Sequence, residues 1–412
     1  MSNRGTQRLA TRGSDLALRQ AAEVKAALED RRFEVELVEV ETTGDDIRDE
    51  LIHRLGKTGA FVRSLDEKVL SSEVDGAIHS MKDMPTDSPD ELVVAAIPER
   101  ASANDVLITP DGATLDELPD GATVGTSSLR RKAQLLHYRP DLNVEPLRGN
   151  VDTRAEKLLA PALQREHERR TEAEKEKQSD KAMAQKGHKK EYEGEFDRTV
   201  EEWFNDLAEI ERRALEREFD VEYDAIVLAQ AGLERSGLAH HLEYEELPAD
   251  EFVPAPGQGA LAVTTLDGEF AQDVNTVLDH PRTRVETTVE RTILAELGGG
   301  CVAPIGVHGL IQGEHVHVDV QVFAQDGSER IAVSRDLPVE NHVEAAKDVA
   351  AELAEQGAAD LIEAAKADEP PTEGKRAEES EQTEDSGQTE ESQRAEDEQR
   401  GESVHQEDER DE

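Results

Sequence analysis

The feature that most constrains the fold of this chain is a junction that occurs three times: an apolar strand, a polar turn and a helix start. Residues 9–11 run into Arg12-Gly13-Ser14-Asp15, after which apolar residues recur at helical spacing. Val124 leads in the same way into Gly125-Thr126-Ser127-Ser128-Leu129-Arg130-Arg131, and residues 143–145 lead into 147–154. Open α/β sheets bind ligands where their strands end. The sequence therefore predicts an α/β fold with ligand-binding turns at these junctions.

Two crossings divide the chain into lobes. Residues 98–104 lie between two predicted strands, and Val253-Pro254-Ala255-Pro256-Gly257-Gln258-Gly259-Ala260 forms a rigid second crossing. Two crossings are typical of a hinged, two-lobed binding architecture. We predict domain 1 at 1–98 and 258–275, domain 2 at 103–252, a small α+β domain 3 at 276–367 and a disordered acidic tail at 368–412.

The segment 161–219 is interpreted as an insertion at the surface of domain 2. Residues 164–190 are dominated by charged and polar side chains without an apolar stripe, and form either an exposed helix or a disordered stretch. Between Val200 and Ala214 apolar residues recur at helical spacing, which predicts that this part packs against something. One hypothesis is that it is a docking helix for a partner enzyme.

The charge of the chain excludes several classes of partner. Its 412 residues include 94 acidic and 47 basic side chains, for a formal net charge of −47. Salt screens such self-repulsion, so we interpret the composition as adaptation to a high-salt cytoplasm. Nucleic acids and anionic membranes are polyanions, and neither is expected as a partner. A single cysteine and an N-terminus without an apolar signal core lead us to expect a cytoplasmic protein.

Arginines at the junctions point to an anionic ligand. Arg130 and Arg131 fall in a first helical turn, where cations oppose the helix dipole, and guanidinium groups match carboxylates well. Arg148 and Arg154 stand at the third junction. Arg12, in the first junction, is on its own equally consistent with a carboxylate ligand and with a solvated arginine.

A polar cluster, His79-Ser80-Met81-Lys82-Asp83-Met84-Pro85, follows a predicted strand. Lys82 can pair with an anion, and Asp83 can accept hydrogen bonds from N–H groups or stabilise a cation; the alternative is a capped turn closed by Pro85. His79 is interpreted as a structural histidine, because no second metal ligand stands at a recognisable spacing. Gly56-Lys57-Thr58 lacks the spacing of a phosphate-binding loop, which argues against a nucleotide site.

The only cysteine, Cys301, follows Gly298-Gly299-Gly300 and precedes an apolar segment. Glycines let a backbone bend close to a ligand, so this thiol can serve as a tether. The alternative is a small buried hydrophobic residue, which is the commoner state of a lone cysteine.

Five motifs in order resemble the hydroxymethylbilane synthase family, also called porphobilinogen deaminases. They are the His79–Pro85 cluster, the Gly125–Arg131 junction, Leu147-Arg148-Gly149-Asn150-Val151 with Thr153-Arg154, Pro256-Gly257-Gln258-Gly259 and Gly299-Gly300-Cys301. The resemblance covers roughly residues 7–160 and 220–367, and the acidic composition is similar to that of a haloarchaeal member. It implies three domains, of which the first two are similar to type II periplasmic binding proteins and the third holds the cysteine.

The resemblance also implies the chemistry. Members carry a dipyrromethane cofactor on the cysteine, add four porphobilinogen molecules with loss of ammonia, and release hydroxymethylbilane by hydrolysis. Asp83 is then the expected catalytic residue and Cys301 the covalent attachment site. The expected cofactor-binding residues are Lys82, Thr126, Ser128, Arg130, Arg131 and Arg154. The expected substrate-binding residues are Arg12, Ser14, Arg148 and Arg154. No metal is implied, and a monomer is expected.

Some positions depart from the family pattern. Arg54 replaces one usual lysine, Lys57-Thr58 stands where another is expected, and Asp15 replaces a proline. The rival hypothesis from another functional class is a non-catalytic, two-lobed binder of a small carboxylate. It accounts for the arginines and the two crossings, but not for the presence of Asp83 and Cys301 together with them.

Overall fold

The computed structural model describes residues 5–40, 60–87, 89–184, 196–300 and 303–367. The predictions on Arg54, the Gly56-Lys57-Thr58 loop, Cys301 and the tail 368–412 lie outside these residues. Among the described helices, none is both long and apolar enough to cross a membrane.

The described strands form three sheets. They are β1 (Gln7–Arg12), β2 (Val35–Val40), β3 (Gly76–Ser80), β4 (Leu92–Ala96), β5 (Asp105–Ile108), β6 (Thr123–Gly125), β7 (Asn143–Glu145), β8 (Ala225–Ala229), β9 (Tyr244–Glu246), β10 (Leu261–Leu266), β11 (Ile305–Gln312), β12 (His315–Phe323) and β13 (Arg330–Pro338). The helices are α1 (Asp15–Glu29), α2 (Ala60–Leu70), α3 (Leu129–Tyr138), α4 (Val151–Ala184), α5 (Val200–Asp206), α6 (Glu209–Leu215), α7 (Gln230–Ser236), α8 (Glu269–Leu278), α9 (Pro281–Glu296), α10 (His342–Glu355) and α11 (Ala358–Ala367).

The first lobe is built on a sheet of order β2-β1-β3-β10-β4. β1 runs parallel to β2 and β3, and β10 runs antiparallel to β3 and β4. Both faces are covered, because Leu9 of β1 packs in the core with α1 and α8 while Ala10 packs in the core with α2. A strand buried on both faces is apolar at consecutive positions, which is why this stretch was readable as a strand.

The second lobe repeats this arrangement in the order β7-β6-β8-β5-β9. β6 is parallel to β7 and β8, and β5 is antiparallel to β8 and β9. In each sheet the inner antiparallel strand is the one that has just crossed from the other lobe: β10 arrives from the second lobe and β5 from the first. The predicted two-lobed α/β fold is confirmed, although the short polar strand β9 was not predicted.

The third domain is an antiparallel sheet, β11-β12-β13, covered by α9, α10 and α11. Val307, Val318 and Val320 are fully buried, or nearly so, in its core. The apolar pattern of residues 343–365 predicts one closing helix, and this prediction is wrong, because the structure has two, α10 and α11. Gly357, with φ +98°, ends α10 and separates it from α11, because few residues other than glycine adopt that backbone angle.

The charged segment of the second lobe, predicted as an insertion at 161–219, is largely helical where the structure describes it. α4 is continuous from Val151 to Ala184, so the expected start of the insertion at residue 161 falls inside a helix. A helix, not disorder, is therefore the observed state as far as Ala184, with side chains mostly exposed or half-buried between residues 164 and 178. The remainder of the predicted stretch, 185–190, lies outside the described residues. The predicted packing between Val200 and Ala214 is confirmed at α6, where Ile210 and Ala214 are buried, but α5 and α6 are separate helices.

Candidate active site

The turn after β3 presents Lys82 and Asp83 at the edge of the first lobe. It is a 3-10 turn, Met81–Asp83, in which Met81 is buried, Lys82 is half-buried and Asp83 is exposed. Backbone bonds hold the turn at both ends: the Met81 N–H donates to Ala260 O at 3.0 Å, and the Met84 N–H donates to Met81 O at 3.2 Å. A buried anchor with an exposed carboxylate places Asp83 where a ligand can reach it.

His79 lies beneath this turn and is structural, as predicted. Its Nε2 is 3.0 Å from Asp66 Oδ1 and 3.0 Å from Thr264 Oγ1, and all three residues are buried. The network connects α2, β3 and β10, so it fixes the end of β3 from which the turn departs.

The second junction is shaped by its own hydroxyl groups. Ser128 caps α3, its Oγ accepting from the Arg131 N–H at 3.4 Å, and Thr126 Oγ1 accepts from the Ser128 N–H at 3.2 Å. Ser127 Oγ donates to Leu147 O at 2.6 Å and so ties the second junction to the third. A capping hydroxyl still has a proton to donate, so Thr126 and Ser128 remain able to bind an anion.

Arg130 and Arg131 share a buried carboxylate that sequence reasoning missed, Asp105 at the start of β5. Nη2 of Arg130 is 2.8 Å from Asp105 Oδ2, and Nη2 of Arg131 is 2.8 Å from Asp105 Oδ1. Gln258 Nε2 donates to Asp105 Oδ1 at 2.8 Å. The only available signal was an acidic residue opening a strand that is otherwise apolar. This carboxylate offsets the cost of two cations in a first helical turn.

The electrostatics of Asp105 follow from these neighbours. Burial alone would raise the pKa of its carboxyl, but the charges of Arg130 and Arg131, with hydrogen bonds from Arg131 and Gln258, hold that pKa well below its usual value. Arg130 also donates from Nη1 to Gln134 Oε1 and to Val253 O, each at 2.9 Å. Its guanidinium therefore has protein acceptors on three residues.

Charged groups of both lobes act on Lys82, the neighbour of Asp83. Burial lowers the pKa of Lys82, which also feels Arg131 and Arg130 of the second lobe against the opposing effect of Asp83 and Asp105. The predicted site residues of the turn and of the second junction thus lie within electrostatic reach of one another across the cleft.

Arg154 adds a further charge to this cluster. Burial lowers the pKa of Arg154 to about 10, helped by Arg131 and Arg148 and opposed by Asp83. Its Nε donates to Gly149 O at 2.8 Å, which fixes the side chain against the third junction. Like charges are held together here, an arrangement that an anionic ligand would stabilise. We call Lys82, Asp83, Arg131, Arg148 and Arg154 the cleft cluster.

Arg12 and Ser14 lie at the same edge of the first lobe. Arg12 ends β1, which pairs with β3, and Ser14 caps α1, its Oγ accepting from the Ala17 N–H at 3.4 Å. Parallel neighbouring strands end at the same edge, so both residues stand beside the strand end that carries Asp83.

Cys301 itself lies outside the described residues, but the chain leading to it is defined. α9 ends at Glu296, and Gly298 follows with φ +64°. The Gly298 N–H donates to Ala295 O at 2.9 Å, and Lys366 Nζ of α11 donates to Gly298 O at 2.5 Å. The third domain therefore holds the base of the cysteine loop from two helices.

Two family models match the chain. One, described as "Porphobilinogen deaminase, dipyromethane cofactor binding domain", matches residues 7–166 and 208–272. The other, "Porphobilinogen deaminase, C-terminal domain", matches residues 285–355. The unmatched part of the second lobe is thus 167–207, which is shorter than the predicted insertion 161–219.

Curated relatives agree with these models. A probable porphobilinogen deaminase of Halobacterium salinarum is 54% identical over 387 residues, which cover 87% of this chain and 98% of the relative. A probable porphobilinogen deaminase of Methanococcoides burtonii is 39% identical over 87% of this chain and 96% of the relative. Among solved structures, a methionine binding protein, MetQ, aligns over 66% of this chain and 89% of its own, with 12% identity and a TM-score of 0.32.

Proposed function

Because the chain belongs to the porphobilinogen deaminase family, we propose that the cleft cluster is the site of this family's reaction. The chain is a transferase that condenses four porphobilinogen molecules and releases hydroxymethylbilane. The rival hypothesis of a non-catalytic carboxylate binder is not favoured, because both matched models are those of an enzyme. The observation that supports the site assignment is that Asp83 acts electrostatically on Lys82 of the first lobe and on Arg154 of the second. Both cations also feel the charge of Arg131, and Arg154 feels that of Arg148.

The dipyrromethane cofactor of the family fits these residues. Its pyrroles carry acetate and propionate arms, so it is a polyanion, and the cleft cluster combines four cations with one carboxylate. When bound, the cofactor supplies the primer on which the tetrapyrrole is built. Cys301 would hold it through the thiol, and its carboxylates would be held by Lys82, Thr126, Ser128, Arg131 and Arg154. Arg130, with its protein acceptors, would contribute positive potential more than direct contacts.

The substrate would be held at the neighbouring junctions. Porphobilinogen carries one acetate and one propionate, and Arg148 and Arg154 present guanidinium groups that match carboxylates. Arg12 and Ser14 stand at the N-terminus of α1, where the helix dipole and free N–H groups favour an anion. These four residues would orient the pyrrole so that its aminomethyl group lies towards Asp83.

Asp83 would act on the charge that develops as ammonia leaves. Breaking the C–N bond gives the electron pair to nitrogen and leaves positive charge on the substrate's pyrrole ring. A carboxylate that accepts a hydrogen bond from the ring N–H stabilises that charge, an effect that is typically worth about 10²–10³ in kcat. The exposed position of Asp83 on a turn with a buried anchor suits this role.

We also propose that the protein acts as a monomer in the cytoplasm without a nucleic-acid or membrane partner. The net charge of −47 supports the last two points, because polyanions repel one another. Light scattering after size-exclusion chromatography in high salt tests the monomer, and a mass of twice the chain would contradict it.

The proposed function is tested by the intact mass of protein purified in high salt, measured beside a Cys301→Ser control. We expect the native chain to carry the mass of two linked pyrroles and the control to lack it. A native chain that stays at its bare mass after incubation with porphobilinogen, and that consumes none, would contradict the proposal.

A further inference from the structure

Arg291 of the third domain donates hydrogen bonds to the backbone of the turn that carries Asp83. Its Nη1 donates to Met81 O at 3.2 Å and to Met84 O at 3.1 Å, and its Nη2 donates to Pro85 O at 2.5 Å. One planar guanidinium thus spans the backbone carbonyls on both sides of Lys82 and Asp83.

The position of Asp83 depends on this backbone. Its side chain is exposed, and the packing of the turn comes from Met81, which is buried. On the opposite side the turn rests on the second crossing, where Met81 N–H donates to Ala260 O. A β-carbon added at Gly257 would lie only 2.7 Å from Met81 Cγ. Arg291 therefore holds the turn from the side of the third domain, through its three hydrogen bonds.

The helix that supplies this grip also leads to the cysteine. Arg291 lies on α9, which ends at Glu296, and the chain then passes through Gly298 towards Cys301. The preceding residue, Glu290, holds both crossings between the lobes by accepting from Arg100 and from the Gly257 N–H. One turn of α9 thus connects the cysteine-bearing domain to the hinge and to the Asp83 turn.

We propose that Arg291 is a positioning residue for the reaction: it fixes the Asp83 turn relative to the helix that carries the attachment loop. This inference rests on the proposed role of Asp83. Reactive groups must be placed closely, and a shift of about 1 Å can cost roughly 100-fold in rate. Loss of the hydrogen bonds from Arg291 to the three carbonyls is therefore expected to lower kcat without weakening the contacts that bind porphobilinogen.

The test compares Arg291→Ala and Arg291→Lys with the matched control Arg282→Ala. Arg282 is an exposed arginine on the same helix whose Nη2 donates to one carbonyl of its own domain, Ile311 O, at 2.8 Å. Intact mass gives the loaded fraction of each variant, and kcat and KM for porphobilinogen are expressed per loaded molecule. Thermal unfolding in high salt reports stability separately.

We expect Arg291→Ala to lose about 10- to 100-fold in kcat with KM within about twofold of native. A lysine ammonium lacks the planar, multiple-donor geometry of a guanidinium and cannot reach all three carbonyls at once. Arg291→Lys should therefore retain only part of the native kcat. Arg282→Ala should keep native kcat. If Arg291→Ala does not fold, Arg291→Lys decides alone.

A kcat per loaded molecule within about twofold of native in the Arg291 variants, whatever their melting temperatures, would overturn the proposal. That result differs from a failure of the proposed function, in which the native protein and Arg282→Ala would also be inactive.

Discussion

Glu290 and Arg100 form a buried two-point ion pair, with Nη1–Oε1 at 2.7 Å and Nη2–Oε2 at 3.1 Å. Glu290 is fully buried and also accepts from the N–H groups of Gly257 at 2.6 Å and Gly309 at 2.9 Å. Arg100 lies on the first crossing and Gly257 on the second. A single carboxylate of the third domain therefore binds both crossings between the two lobes.

Glu290→Gln should destabilise the protein strongly, because Arg100 loses its charged partner inside the structure. We expect a loss of roughly 3–5 kcal/mol in the free energy of unfolding. The matched control is Glu352→Gln, which breaks the exposed pair with Arg335 and should cost no more than about 1 kcal/mol. Denaturant unfolding in high salt measures both, and equal losses in the two variants would refute this account of the hinge.

The sequence predicted what is encoded locally. Helices α1 and α3 begin where the strand–turn–helix pattern predicted a helix start, with Ser14 and Ser128 as their caps, and apolar runs such as residues 225–229 are strands. Gly357 interrupts a continuous helical pattern, and only its backbone angle reveals the break. The strand–turn–helix form of the junctions was likewise predictable, because each junction is a short contiguous motif.

The contacts between distant segments were not readable. Asp105 meets Arg131 across 26 positions and Gln258 across 153, and Arg100 meets Glu290 across 190. Nothing in the local pattern around an isolated acidic residue says which cation will reach it, since tertiary packing decides the pairing. For the same reason Arg291 was not singled out: its acceptors are backbone carbonyls some 210 positions away.

Asp83→Asn should remove catalysis while leaving the fold intact. The substitution keeps the shape of an exposed side chain but removes the charge, so kcat is expected to fall by about 10²–10³ with an unchanged melting temperature. Asp87→Asn, at an exposed position in the following loop, is the control and should retain native kcat. Near-native turnover by Asp83→Asn in a steady-state assay would remove the proposed charge-stabilising role.

Asp105→Asn should lower stability in a pH-dependent way. The pKa of Asp105 is held below its usual value in the fold, so the carboxylate contributes stability that is fully present above its unfolded pKa of about 4. That contribution is lost as pH falls through the folded pKa. We expect native protein to exceed the variant by roughly 3–5 kcal/mol at neutral pH, with the difference shrinking below about pH 4.

Unfolding of both proteins by denaturant between pH 3 and pH 7, at constant high salt, measures this difference. Subtracting one curve from the other removes the contribution of the remaining carboxylates, which the two proteins share. A difference that stays constant over the whole range would mean that Asp105 is not the titrating group.

Gly259→Ala should destabilise the hinge by more than its backbone angle requires. Gly259 has φ +84°, and an added β-carbon would lie 2.5 Å from Ala101 O and 2.6 Å from Ser102 O of the first crossing. Gly121 has φ +79° with nothing within 4 Å of its added β-carbon, so Gly121→Ala isolates the backbone cost of about 1–2 kcal/mol. We expect Gly259→Ala to cost a further 1–3 kcal/mol or so, measured by denaturant unfolding; equal costs would mean that the crossings are not in contact as described.

Two deletions should distinguish residues 167–207, which neither family model matches, from the rest of the second lobe. Described residues of the two ends of 167–207 contact each other, since Arg170 lies over the rings of Phe196 and Trp203 at 4.3 Å and 5.2 Å. Replacing 167–207 by a short Gly/Ser linker should therefore preserve stability and activity. Deleting 161–219 removes more, because Ile210 and Ala214 lie buried against α4.

The longer deletion also strips a buried carboxylate of its partners. Glu156 of α4 is 1% exposed and pairs with Arg213 and Arg217, both within 161–219. An unpaired buried charge costs roughly 3–5 kcal/mol, so this variant should unfold at lower denaturant or fail to fold. Restoring residues 208–219 behind the linker should recover stability, because it returns both arginines and the apolar face of α6. Equal stability of the two deletion variants in high salt would show instead that α6 does not contribute to the stability of the second lobe.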